Sequence, residues 1–104
     1  MKKVSIVGKK MIVRATVAGV HGGIVTAFDP ATQTVTLSQA YRLWRVYTRD
    51  KSGSISDVAA NGLKPAGGHS IGAQLKSVTI VNPTGLELAE MTEEAYQSLV
   101  DWKN

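Results

Sequence analysis

The chain has 104 residues, 43% of them hydrophobic, no cysteine and a net charge of +4. That is one domain with one modest core, without the composition of a disordered chain. Disulfides and thiolate metal sites are excluded, and two histidines make a poor structural zinc site. The charge is unevenly placed. Residues 1–85 carry eleven Lys/Arg against three Asp/Glu, whereas 86–104 carry one Lys against five. A basic body attracts anions. The acidic tail has three options: to fold over that body, to contact a neighbouring subunit, or to stay solvated.

Taken in order, the elements are short and mostly extended. Lys2 and Lys3 precede no long apolar run, so neither a signal peptide nor a membrane span is expected, and a soluble cytoplasmic protein is the default. Residues 4–7 read as a short strand and 8–10 as a turn. Residues 11–17 are rich in β-branched side chains and read as a strand that Ala18-Gly19 ends. Residues 20–28 form the next, with Gly22 and Gly23 inside it, where glycine marks a bulge, a bend or a close approach of backbones. Asp29-Pro30 opens a hairpin turn. Residues 34–37 alternate with one wet face, and the strand continues through a bend into 41–48.

A short helix is expected over 56–62. Ser56 would cap it, Asp57 suits its positive end, and Gly62 suits a left-handed exit. Residues 63–70 read as loop, 75–81 as a strand, 82–85 as a turn and 86–90 as a last strand. Thr92 should cap a helix over 92–103, with Glu93 and Glu94 in its first turn and Tyr96, Leu99 and Val100 on one face. Short strands with little helix imply a mainly-β fold: a small, strongly bent or partly closed barrel of SH3-like or Sm-like type, with one inserted helix and one C-terminal helix.

The densest chemistry lies in Tyr41-Arg42-Leu43-Trp44-Arg45-Val46-Tyr47-Thr48-Arg49. It holds three of the six aromatic residues and three of the four arginines. A guanidinium forks onto phosphate or carboxylate, and an aromatic ring stacks on a base. Alternation puts Tyr41, Leu43, Arg45 and Tyr47 on one face and Ala40, Arg42, Trp44 and Val46 on the other, both mixed. Three readings stay open. Leu43 and Trp44 are core while the arginines reach solvent or tail acids such as Glu90 or Glu94; or Trp44 or Tyr47 stacks on a base with Arg42, Arg45 or Arg49 on phosphate; or the strand is a protein interface. His21 beside Gly22-Gly23, and His69 after Gly67-Gly68, are either loop and hairpin histidines or donors beside an N–H nest for an anion. The second loop lacks the Lys-Ser/Thr of a phosphate-binding P-loop.

Residues 19–29, Gly-Val-His-Gly-Gly-Ile-Val-Thr-Ala-Phe-Asp, with Val35 and Leu37, resemble the first half of the Sm-like barrel signature. The second, RNA-binding half has no counterpart, so this resemblance implies a barrel and carries over no binding residues. A wider resemblance rests on Ala18-Gly19-Val20 with Gly23, on Arg42-Leu43-Trp44, and on Ser54-Ile55-Ser56-Asp57-Val58-Ala59 with Gly62-Leu63-Lys64. These look like a family of small tailed-phage and prophage proteins of unassigned function. Here the connection after Trp44, through 47–53, is longer than that pattern. The resemblance implies one of three roles in the cytoplasm of a bacterial host: a virion protein, a nucleic-acid-binding accessory, or a counter-defence protein that captures a host nucleotide signal.

Catalysis has little support. No nucleophile elbow and no cysteine nucleophile occur, Asp29 and Asp57 fit turn and cap roles, and the tail glutamates complement a helix dipole. The expectation is a non-enzymatic homo-oligomer that binds a nucleotide-like anion through Arg42, Trp44, Arg45, Tyr47, Arg49, His21, Gly22, Gly23 and His69. No cofactor, metal or membrane is expected. The alternatives are an Sm-like nucleic-acid module and a virion or partner-binding protein.

Overall fold

A computed structural model of the chain describes residues 6–15, 19–45, 55–63, 69–82 and 85–103. Its strands follow the β-branched runs: β1 (Lys10–Ala15), β2 (Gly19–Asp29) and β3 (Thr34–Arg45) form a meander, followed by α1 (Ile55–Asn61), β4 (Ser70–Ile71), β5 (Leu75–Val81), β6 (Glu87–Glu90) and α2 (Glu93–Lys103). All six strands pair antiparallel in one sheet that does not close. Its order is β4-β3-β2-β1-β6, and β5 lies along the same edge of β3 as β4.

Each face of the sheet buries its own apolar set. On one, Met11, Val13 and Ala15 of β1 share a core with Val25, Val35, Leu37, Ala40 and Ile80, so the sheet curls over itself. On the other, Ile12, Tyr41 and Leu43 pack under the helices, against Val58, Ala59, Leu63, Ala95, Tyr96 and Leu99. Burying side chains on both faces is how so short a chain removes enough apolar surface from water.

β3 contributes to both cores, and a bulge allows it. Gly22 pairs with Tyr41 and Ile24 with Ser38, so Gln39 and Ala40 together stand against Gly23. Gln39 takes φ 47°, the left-handed conformation of an extra residue in a bulge. Val35 and Leu37 therefore face the curled core, and so does Ala40, one step out of phase. Tyr41 and Leu43 then face the helices. The Tyr96 hydroxyl of α2 donates to the Gln39 carbonyl at 2.7 Å, pinning the bulge.

The expected ends hold where a local bond makes them. Ala31 N–H donates to Asp29 at 3.0 Å in the hairpin turn. Ala95 N–H donates to the Thr92 hydroxyl at 3.1 Å, so Thr92 caps α2. Gly62 leaves α1 at φ 79° with its N–H on the Val58 carbonyl. Three expectations need correction. Ile6 and Val7 lie outside any strand, because the chain there turns into β1, with Gly8 N–H donating to the Val25 carbonyl at 2.7 Å. Ser56 lies inside α1 and does not cap it. Ser70, expected in a loop, opens β4 by pairing with Arg45.

Candidate functional site

Past the bulge, alternation sends Arg42 and Trp44 to the face opposite the helices. Two residues apart on one strand, they are neighbours. The guanidinium carbon of Arg42 lies 3.9 Å from the centroid of the Trp44 ring, a close cation–π stack. Trp44 is nevertheless 64% exposed. Trp44 is therefore not core, whereas Tyr41 and Leu43 both lie in the core under the helices.

Three residues fix Arg42 from the sides. His21 of β2 stands opposite it in register. Gly19 makes room for the guanidinium: a Cβ there would come within 2.8 Å of Arg42 Nη2, and Gly19 has φ 80°. Gly72, between β4 and β5, sits against the Arg42 Cβ and donates its N–H to the Arg42 carbonyl at 2.8 Å. Neither glycine carried a sequence signal for this role. Gly19 read as a strand break and as part of two family patterns.

His21 is 4% exposed. Burial, and then the Arg42 charge, push its imidazole below the ordinary value of 6.5, so it is neutral at neutral pH. Its Nδ1 and the Nε of Arg42 are both buried and without a hydrogen-bond partner. Arg42 Nε is always a donor, whereas His21 Nδ1 is a donor in the cation and the neutral Nδ1–H tautomer and an acceptor in the Nε2–H tautomer. Leaving such groups unpaired costs about 1–3 kcal/mol each. Among the described residues, Arg42 Nε lacks an acceptor.

The tail acids do not supply it. Lys9 pairs with Glu90 at 3.3 Å, Lys10 with Glu93 at 2.9 Å and Arg14 with Glu87 at 2.7 Å. The acidic residues of β6 and α2 thus pair with Lys9, Lys10 and Arg14 at the β1 margin, with β2 between β1 and β3. Beside Gly19 an open cavity of about 580 Å³ runs between Arg14 and Glu87, whose charges already satisfy each other.

The other expected site residues are placed differently. Gly22 and Gly23 are buried inside β2. A Cβ on Gly22 would come within 2.8 Å of Leu99 Cδ1, and one on Gly23 within 3.0 Å of the Ala40 backbone. Close packing accounts for both glycines, whereas an anion nest needs exposed N–H groups. His69 is buried at the start of β4, with its ring edge-on to Trp102 of α2 at 4.8 Å. Arg45 closes β3 opposite Ser70, and Tyr47 and Arg49 lie outside the described residues. Among the described residues no three His, Asp or Glu side chains gather as metal ligands, and no helix is long and apolar enough to cross a membrane.

Fold and site together define a small mainly-β domain that presents an arginine stacked on an exposed tryptophan. A family model described as "Domain of unknown function (DUF6948)" matches residues 8–99, and the chain belongs to that family. No curated protein and no solved structure matches it.

Proposed function

We propose that this protein is a non-enzymatic binding module that captures a nucleotide-like anion at Arg42 and Trp44. One observation carries the reading: a buried guanidinium Nε without an acceptor, next to an equally unpartnered His21 Nδ1, beneath an exposed aromatic ring. A phosphate oxygen would accept from Arg42, and from His21 in its Nδ1–H form, and the indole would offer its surface to a base. Arg45 ends the same strand, and Tyr47 and Arg49 follow it in sequence, where they would extend the phosphate and stacking contacts. Binding is favoured over turnover because, among the described residues, the charge acting on His21 is that of Arg42 and no carboxylate. A general base is normally oriented and charged by a carboxylate. The Arg42-Leu43-Trp44 and 54–59 patches support a phage setting, in which capture of a host signalling nucleotide in the bacterial cytoplasm is the role that follows.

The test is native mass spectrometry with mono-, di- and cyclic nucleotides, on the wild type and on Arg42→Gln. A nucleotide bound in whole-number stoichiometry, recovered unchanged and lost in Arg42→Gln, supports the proposal. Equal binding by Arg42→Gln, or turnover of the ligand, overturns it. Affinity that instead grows with strand length and collapses with salt would assign the site to nucleic acid.

A further inference from the structure

β5 is a seven-residue strand that, among the described residues, pairs with β3 alone. Among the described residues nothing pairs with its outer edge. A free edge of this length is a template for another strand, and proteins usually blunt it with several charges, a proline or a bulge. β5, Leu-Lys-Ser-Val-Thr-Ile-Val, has one lysine, no proline and an unbroken register against β3 from Thr34↔Val81 to Ser38↔Ser77. It also exposes large apolar side chains at both ends, Leu75 and Val81.

We infer that the outer edge of β5 pairs antiparallel with β5 of a second copy, about a two-fold axis at Val78. The strand is self-complementary in that register. Leu75 of one copy meets Val81 of the other, so each exposed apolar end covers its counterpart. Ser77 meets Thr79, a hydroxyl pair of the kind already made within the chain by Thr36 and Thr79 at 3.0 Å. The two Lys76 side chains stand opposite Ile80, four residues or about 13 Å apart along the strands, and do not oppose each other. Shifting the register by two residues leaves Val81 or Leu75 uncovered. The pairing is isologous, so it closes at two copies and does not run on into a fibre. It stands whether or not the Arg42 site takes a nucleotide.

The absence of cysteine makes the register directly readable. Leu75→Cys and Val81→Cys are surface variants, each prepared alone. An equimolar mixture is expected to give a disulfide dimer under mild oxidation. Each variant alone gives little, because like positions stand six residues apart. In parallel, Leu75→Glu/Val81→Glu places like charges opposite each other and should shift the wild-type dimer to monomer in light scattering. Leu75→Lys/Val81→Glu places opposite charges there and should restore it. A wild-type chain monomeric at its highest soluble concentration, cross-linking no greater in the mixture than in the single variants, or a dimer indifferent to the charge pairs would each overturn the inference.

Discussion

The two basic regions of this sheet meet opposite fates. At β1, Lys9, Lys10 and Arg14 each find a carboxylate from β6 or α2, all three pairs near solvent. At the outer end of β3, Arg42 stacks on Trp44 and its Nε meets nothing. Both regions draw on the same surplus of positive charge, so composition alone does not separate them. The difference lies in where the acids fall in the topology. β6 pairs with β1 and places Glu87 and Glu90 on that margin, three strand positions from the arginine-aromatic strand. Charges matched within the chain belong to the structure. A donor buried without an acceptor among the described residues is what the proposed ligand would satisfy.

The contrast is most sharply tested by Arg42→Met, which keeps a similar stem and removes the donors. Ligand affinity should fall by about 2–3 kcal/mol, roughly 30- to 150-fold, the cost of losing a charged hydrogen bond. The urea midpoint should hold or rise, because the variant removes an unpaired buried donor. A calorimetric affinity that does not move would contradict the assignment. Next in size is Gly19→Ala. It strains a backbone at φ 80° and crowds Arg42 Nη2, at a cost of about 1–2 kcal/mol in urea unfolding. Unchanged stability would show that the strand end yields freely.

A smaller effect comes from His21 on acidification. Its folded value lies below 6.5, chiefly through burial. At pH above about 6.5 the group is neutral in both states and neutral to stability. As pH falls from there toward the folded value, the unfolded chain takes a proton that the folded chain refuses, so stability declines and then levels off. Denaturant melts from pH 7.5 to 5 should show this decline in the wild type and lose it in His21→Gln. The same slope in both would place the proton elsewhere. At the paired margin, Glu87→Gln should change stability by less than about 1 kcal/mol and leave ligand affinity alone. A large loss there would erase the distinction between the two regions.

Much of the fold was legible because local chemistry decides it. Thr92 ahead of Glu93-Glu94, Asp29-Pro30 and Gly62 act through bonds to residues two to four positions away. Gly22 and Gly23 rightly signalled close approach, and the bulge does fall beside them. The site was legible only in part. Arg42 and Trp44 stood out by composition, but their stack depends on strand direction beyond Gln39, a residue with no bulge preference to read. The opposition of His21 to Arg42 depends on register, which twenty intervening residues hide. His69 reads alike whether it faces a ligand or Trp102, because a helix thirty residues downstream decides it.

The bulge at Gln39 has a consequence for length. It is slack stored at a known address. Removing one bead there evens the ladder opposite Gly23 while Val35 and Leu37 before it, and Arg42 and Trp44 after it, keep their present sides. Removing Leu43 instead would turn Trp44 toward the helices. Chains one residue shorter in this strand should therefore be soluble and folded when the gap falls at 39, and not when it falls at 43.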